Sequence, residues 1–169
     1  CLHPFIRNTV GSMEFGGCFL NKRLNRNNDG GTTRRTTDIF QLATTVLFQN
    51  PVQNFALAPN NLKDVSPVCM DYMKTIPTTW DETCFIDGYP GKYVVLARRH
   101  GGTWYVAAIN AGKETLKLKL DLEMFAGKTV SLYKDDKKGE PQLVTLKVKE
   151  SGKVQLEILP QGGVVLVNN

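Results

Sequence analysis

One carboxylate in the first half of the sequence lies among residues that could give it a chemical role. Glu14 stands in segment 11–17, GSMEFGG, between glycines and apolar side chains. Burial in such surroundings raises a carboxyl pKa and suits the group to proton donation, and an ionised carboxylate can accept hydrogen bonds from sugar hydroxyls. A carboxylate that accepts bonds from nearby backbone amides explains the position equally well. Glu14 is therefore a candidate substrate-binding residue.

Trp80 is the second candidate. It opens the segment 80–83, WDET, which follows Ile76-Pro77 at a point where the composition of the chain changes. An indole ring there could stack on a sugar ring, or it could seal the interface between two parts of the protein. Trp104 falls inside an apolar run and is expected in the core.

Other chemistries find little support in the residue types. Neither histidine, His3 or His100, lies in a sequence context typical of a catalytic Ser-His or Cys-His pair. The four cysteines have no metal-ligand spacing, and their three possible disulfide connectivities stay open beside unpaired thiols. The sequence thus predicts no catalytic residue and no metal ligand in this chain.

Charge and hydropathy exclude two classes of partner. The net charge is +5, but the basic residues are spread along the chain and lack interleaved aromatic residues, which argues against nucleic-acid binding. No apolar run approaches the roughly 18 to 20 residues of a membrane span, and no signal peptide is recognisable. The chain opens at Cys1 in a segment without a start signal, so we expect a piece of something longer.

The elements before Pro77 read as helices, a loop and one short strand. Residues 21–35 are rich in Asn and Gly and predict an exposed loop. A helix is expected from an N-cap at Thr37 or Asp38 to Asn50-Pro51, and a second one from Ser66-Pro67 to Met73. Residues 53–58 between them are a strand candidate. The order helix, strand, helix is typical of a (β/α)₈ barrel. Residues 1–77 would be the C-terminal segment of such a barrel.

Residues 78–169 are expected to form an antiparallel β-sandwich, so the fold class is α+β. Apolar and polar residues alternate in 116–121 and 143–148, which is typical of strands with one buried and one wet face. Turns rich in glycine separate the strands. Eight strands are predicted, at 83–87, 92–99, 103–110, 115–120, 129–134, 142–149, 154–159 and 164–167. We expect this part to fold alone and the first part to lean on it.

Six segments together resemble glycoside hydrolase family 97. They are PFIRNTVGSMEF (4–15), FQLA with NPVQ (40–43, 50–53), IPTTWDET (76–83), KYVVLARR (92–99) and TWYV (103–106). The resemblance covers nearly the whole chain and keeps the order of the segments. It implies a parent enzyme with an N-terminal β-supersandwich, a central (β/α)₈ barrel and a C-terminal antiparallel β domain linked to oligomerisation.

The resemblance also implies an activity. Members of the family cleave α-glucosides or α-galactosides of oligo- or polysaccharides, depend on calcium, and are periplasmic or secreted. Two carboxylates flank the scissile bond, and their separation decides whether the enzyme inverts or retains the anomeric configuration. In the family they come from segments upstream of PFIR, as do the calcium ligands. The fragment alone is therefore expected to be inactive.

Three positions depart from the family pattern. Phe40 stands where His is frequent, Leu57 where Asp is frequent, and Glu14 where Asp is usual. If these positions line the sugar pocket, the substrate preference differs from that of the better-known members.

A second hypothesis is a free-standing β-sandwich module for carbohydrate binding or oligomer assembly without catalysis. In this module the first 77 residues would be a helical collar. The first hypothesis predicts a homo-oligomer, since barrel elements outside a barrel would expose apolar surface. The stripe expected to be exposed is Ile39, Leu42, Val46 and Leu47, with the strand residues Phe55, Ala56 and Leu57 beside it.

Overall fold

The computed structural model of the 169-residue chain describes residues 1–18, 20–23, 30–57 and 59–168. The α-helices are α1 (Arg7–Val10), α2 (Asp38–Leu47) and α3 (Pro67–Met73). The strands are β1 (Phe15–Cys18), β2 (Gln53–Phe55), β3 (Glu82–Tyr89), β4 (Tyr93–His100), β5 (Thr103–Asn110), β6 (Leu116–Asp121), β7 (Thr129–Asp135), β8 (Pro141–Lys147), β9 (Lys153–Ile158) and β10 (Gly163–Asn168). Short 3₁₀ helices cover Pro59–Asp64 and Glu123–Phe125. In the described part of the chain, no helix is both long enough and apolar enough to cross a bilayer.

All eight strands expected after Pro77 are present as β3 to β10, with bounds within two residues of those predicted. Six of them form one antiparallel sheet in the order β3-β4-β5-β10-β7-β8, and β6 pairs with β9 in a separate antiparallel pair. The two sheets face each other as an unequal sandwich. The C-terminal strand β10 lies in the middle of the larger sheet because it pairs with both β5 and β7.

The larger sheet is buried on both faces. Val95 and Ala97 of β4 pack toward β6 and β9, whereas Val94 and Leu96 of the same strand pack toward the helices. A strand covered on both sides needs apolar residues at consecutive positions, which explains the uninterrupted run 94–97. By contrast, β6 shows the expected alternation, with Leu118 and Leu120 buried and the lysines between them exposed.

Helix α2 covers the second face of the larger sheet. Its N-cap is Thr37, whose hydroxyl accepts a hydrogen bond from the Phe40 N–H at 3.1 Å, as the sequence indicated. The helix contacts β4, β5, β7 and β10, and it also contacts α3. Residues 1–77 therefore pack, through α2, against the strands of residues 78–169.

The expectation that the α2 stripe is exposed was wrong. Ile39, Leu42, Val46 and Leu47 are completely buried, and they share one core with Val94, Ile109 and Val165 of the larger sheet. Phe55 and Leu57 are partly buried against the same core. The amphipathic pattern identified the apolar face correctly, but the surface that covers it lies about 60 to 120 residues further along the chain and leaves no local signal.

The loop expected at 21–35 is only partly described, since residues 24–29 lie outside the described residues. Most of its described residues are exposed or half-buried, as predicted, and Asn21 is the exception among them. Asn21 is buried, the Arg34 N–H donates to the Lys22 carbonyl at 3.0 Å, and the Arg34 guanidinium pairs with Asp38 at the start of α2. The loop is therefore fastened to the first turn of the helix that follows it.

Strands β1 and β2 pair in parallel, and α2 connects them. Parallel neighbours need a crossover connection, which is usually a helix, so β1-α2-β2 is one βαβ unit. The predicted strand at 53–58 is confirmed as β2 over its first three residues, while Ala58 lies outside the described residues. The described residues contain one such unit, and its membership of a (β/α)₈ barrel stays a prediction.

Asp135 fastens the N-terminus of α2 to the larger sheet. Its Oδ2 accepts hydrogen bonds from the Thr37 hydroxyl at 2.9 Å and from the Gly163 N–H at 3.2 Å. Burial raises the pKa of this carboxyl to about 6, and the charge of Asp38 adds to the rise. The bonds from Thr37 and Gly163 oppose the rise but do not outweigh burial.

Stability is expected to fall as the pH rises toward 6, and the variant Asp135→Asn should remove most of that fall. Between the unfolded carboxyl pKa of about 3.9 and the folded value of about 6, the folded state binds more protons than the unfolded state. The free energy of unfolding therefore decreases across this range by up to about 3 kcal/mol and is flat above it.

Urea unfolding from about pH 4 to about pH 7 measures the effect. Asp136→Asn is the matched control, because backbone N–H donors lower the pKa of this exposed carboxyl instead of raising it. An equal pH dependence in the parent chain and in Asp135→Asn would contradict the assignment.

Candidate functional site

A pocket lies where the segment after α2 meets the segment after α3 and strands β3 and β4. Its volume is about 280 Å³. The residues that line it come from these segments and from the stretch before β1: Ser12, Gln49, Asn50, Pro51, Thr78, Thr79, Trp80, Thr83 and Arg98. Of the two residues predicted to bind substrate, Trp80 lines this pocket.

Strand β4 supplies the charged group of the pocket. Arg98 pairs with Thr83 of β3 on one side and with Tyr105 of β5 on the other, and it is only 3% exposed. Its Nη1 donates a hydrogen bond to the Phe48 carbonyl at 3.1 Å. Burial lowers the pKa of this guanidinium to about 10, which still leaves it positively charged at neutral pH.

Trp80 holds its place by ring contacts. Its indole meets the Tyr105 ring edge-on, with ring centroids 5.3 Å apart, and the Arg98 guanidinium carbon lies 5.8 Å from the Trp80 ring centre. The side chain is half-buried against the core that α2 shares with the larger sheet. These contacts fit a tryptophan that seals the junction between the two parts of the chain. Sugar stacking by Trp80 stays a prediction.

Glu14 is not among the residues that line the pocket. It is exposed and comes directly before β1, at the N-terminal end of that strand. In (β/α)₈ barrels the catalytic groups stand at the C-terminal ends of the strands, so this position does not favour a role in chemistry. Its proposed contact with substrate stays a prediction.

Of the nine residues that line the pocket, the sequence analysis singled out Trp80 and missed the other eight, among them Asn50 and Arg98. Asn50 was interpreted as the end of a helix and Arg98 as part of a strand, and both lie in segments that carry the family resemblance. The burial of Arg98 could have been predicted from its position directly after the apolar run 94–97. A strand that is buried on both faces leaves the residue after its apolar run little access to water.

The two histidines take structural positions. The His100 ring nitrogen Nδ1 is 2.9 Å from the Thr79 carbonyl oxygen, and the His3 ring meets Phe48 edge-on. Cys1 and Cys84 are free thiols, and Cys69 is buried in the core that α2 shares with the larger sheet. Within the described ranges, no three His, Cys, Asp or Glu residues come together as a metal site.

Comparison with known proteins decides the family. The family described as "Glycosyl-hydrolase 97 C-terminal, oligomerisation" matches residues 79–167, which is more than half of the chain. The chain belongs to this family. The resemblance found in the sequence is thereby confirmed, and the match begins next to the predicted boundary at residue 78.

Relatives with curated descriptions are larger enzymes. A retaining α-galactosidase of Bacteroides thetaiotaomicron is 28% identical over 178 residues, covering 96% of this chain and 26% of its own length. A probable retaining α-galactosidase of Streptomyces bingchenggensis is 34% identical over 111 residues, which is 64% of this chain and 16% of that protein. This chain spans about a quarter of the length of the first relative and less of the second.

Solved structures match nearly the whole chain. A β-arabinopyranosidase crystal structure is 85% identical with a TM-score of 0.97, over 99% of this chain and 27% of that one. A glycoside hydrolase family 97 enzyme from Pseudoalteromonas sp. strain K8, solved in complex with acarbose, is 25% identical with a TM-score of 0.81, over 99% of this chain and 28% of that one. The helices and the strands thus recur together in the family.

Proposed function

We propose that this chain is the C-terminal portion of a glycoside hydrolase of family 97, whose catalytic carboxylates lie in other segments of the parent protein. The observation that carries the proposal is that family 97 enzymes superimpose on 99% of the chain with TM-scores of 0.80 to 0.81. The role of this portion is mechanical: it closes one side of the barrel and anchors it to the β domain.

The βαβ unit supports the barrel part of this proposal. Among the described residues β1 and β2 pair only with each other, and a sheet edge left open is a hazard in a soluble protein. In a (β/α)₈ barrel the neighbouring strands of the parent cover both edges. Residues 1–77 would then be the last part of that barrel.

The substrate we propose is a pyranoside with the ring configuration of galactose. The β-arabinopyranosidase is 85% identical to this chain, and the two curated relatives are described as retaining or probable retaining α-galactosidases. A β-L-arabinopyranoside differs from an α-D-galactopyranoside by the absence of the hydroxymethyl group, so one site architecture can serve both. Retention of the anomeric configuration requires two carboxyl groups about 5–5.5 Å apart.

Calcium, export to the periplasm and homo-oligomerisation belong to the proposal for the parent. Among the described residues no three His, Cys, Asp or Glu side chains come together, and the resemblance implies that the calcium ligands of the parent lie upstream of segment 4–7. Assembly is supported by the description of the matching family as an oligomerisation domain. The alternative of a free-standing module agrees with that description only in part, because residues 1–77 also have counterparts in the larger enzymes.

The experiment is a substrate comparison with the longer gene product. Nitrophenyl β-L-arabinopyranoside, α-D-galactopyranoside and α-D-glucopyranoside are offered at equal concentration. We expect kcat/KM for one of the first two to exceed that for the glucoside by at least about 100-fold, since a site built to bond a substrate hydroxyl discriminates strongly against a misplaced one. Equal rates on all three substrates, or hydrolysis of the glucoside alone, would contradict the proposed configuration.

A further inference from the structure

A groove lies between α3 and the face of the larger sheet that α2 also covers. Its volume is about 300 Å³. That volume is at the lower end of ligand pockets and suits a single pyranose ring. None of the residues that line the groove is charged, and most of them carry a hydroxyl group: Tyr72, Thr75, Thr103, Tyr105, Ser131 and Tyr133.

Strand register places the sheet residues of the groove side by side. Tyr105 of β5 pairs with Val167 of β10, and Val167 pairs in turn with Ser131 of β7. Paired residues on neighbouring strands point to the same face of a sheet, and so do residues two apart on one strand. Thr103 and Tyr133 therefore share the face of this row, which is the face that packs on the core of α2. The side chains of the groove thus project from the sheet into one space beside α3.

Two of these hydroxyl groups, those of Tyr105 and Tyr133, have no hydrogen-bond partner in the described part of the chain. Tyr105 is only 8% exposed, yet neither phenol oxygen is sealed from solvent, so a ligand in the groove can reach both. By contrast, the Tyr72 hydroxyl lies 3.1 Å from the Thr45 hydroxyl oxygen and is already bonded. The groove therefore offers two unused hydroxyl groups.

The protonation of the two phenols favours hydrogen bonding. Burial raises the pKa of both, and the proximity of Tyr133 adds to the rise at Tyr105, so the two hydroxyls lie near each other. Both stay protonated at neutral pH. Each can donate one hydrogen bond and accept others.

The charge nearest to these hydroxyls disfavours an anion. Asp71 of α3 does not line the groove, but it is close enough to add to the rise in the pKa of Tyr133. The Asp71 carboxylate is exposed and accepts a hydrogen bond from Lys74 at 2.8 Å. Since no lining residue supplies a cation, the groove suits a neutral ligand rather than an acidic one.

We propose that this groove binds one neutral pyranose unit of a saccharide. The hydroxyls of Tyr105 and Tyr133 bond hydroxyl groups of the sugar, and Val167 contacts the apolar face of its ring. Sugar hydroxyls match the phenols because both donate and accept hydrogen bonds. An apolar side chain of another polypeptide would leave both phenol hydroxyls unbonded. The inference needs neither the catalytic activity nor the ring configuration proposed above.

NMR titrations of the 169-residue chain test the binding. The probes are the methyl glycosides of α-D-galactopyranose, α-D-glucopyranose and β-L-arabinopyranose, with D-galacturonate as the charged probe. We expect at least one neutral glycoside to bind saturably with a dissociation constant of about 0.1–10 mM, which is usual for ligands of this size. Galacturonate should bind more weakly because of Asp71. No saturable binding of a neutral glycoside, or tighter binding of galacturonate, would overturn the proposal.

Variants that lose only a hydroxyl locate the binding. Tyr105→Phe and Tyr133→Phe keep the rings, so each should weaken glycoside binding by about 3- to 10-fold. The melting temperature should change by less than about 4 °C, because neither hydroxyl has a partner among the described residues. The double variant should show no detectable binding.

Tyr93→Phe is the matched control. Tyr93 packs against the core on the opposite face of the sheet, and its hydroxyl donates to Asp87 at 3.0 Å. Loss of this hydroxyl should leave glycoside affinity unchanged. Unchanged affinity in both Tyr105→Phe and Tyr133→Phe, or an equal loss in Tyr93→Phe, would place the binding elsewhere and refute the site.

Discussion

Leu42→Ala is expected to lower the free energy of unfolding by about 3–5 kcal/mol, which would remove much of the stability of a domain of this size. Leu42 is completely buried at the centre of α2, in the core that the helix shares with the larger sheet. Removal of its side chain creates a cavity in contact with elements from both halves of the chain. Chemical denaturation followed by circular dichroism measures the loss.

Leu143→Ala is the matched control, because the same atoms are removed from a side chain of the edge strand β8 that is 47% exposed. Leu143→Ala should lower the free energy of unfolding by less than about 1 kcal/mol, as most surface substitutions do. Similar losses in the two variants would mean that α2 does not pack on the sheet as described. Leu42→Glu, which buries an unpaired charge at the same position, should prevent folding altogether.

The second large effect is expected from removing residues 1–77. The alternating pattern after Pro77 suggests that residues 78–169 fold by themselves, but the structure shows a sheet face that this pattern does not reveal. Val94, Leu96, Ala107, Ile109 and Val165 pack toward the helices and are buried in the whole chain. Without α2 these side chains form a continuous apolar patch, and patches larger than a few hundred Å² lead to association.

We therefore expect residues 78–169 alone to aggregate, or to bind a hydrophobic dye and melt over a broad temperature range, while the whole chain melts cooperatively. Size-exclusion chromatography and calorimetry on both polypeptides measure the difference. A monomeric 78–169 fragment with a sharp transition near that of the whole chain would show that the β6 and β9 side of the sheet suffices.

Local patterns predicted the elements well because their causes are local. The cap at Thr37, the apolar spacing from Ile39 to Leu47 and the break near Pro51 each concern neighbouring residues, and α2 was found between them. The eight strands after Pro77 were found for the same reason, since alternation and glycine turns act over a few residues. Strand β1 was not predicted from the sequence, so its parallel pairing with β2 was not predicted either.

The arrangement of those elements depends on contacts that no local pattern contains. Val164 to Val167 indicates a strand, but nothing in these residues shows that β10 lies between β5 and β7. The pocket is a further example, because Asn50, Trp80 and Arg98 come from three separate segments. Only the folded sheet brings them together, which is why Trp80 was selected for its ring and Arg98 was not selected at all.

Glycosidase assays on the 169-residue chain test the central claim, which is that this chain supports an active site without containing its carboxylate pair. The chain is compared with the longer gene product on nitrophenyl β-L-arabinopyranoside and α-D-galactopyranoside. We predict background rates for the chain and at least about 10⁶-fold acceleration over the uncatalysed reaction for the longer protein, because hydrolysis needs two positioned carboxyl groups. Turnover by the chain itself that disappears in Glu14→Gln would contradict the claim and place a catalytic group within these residues.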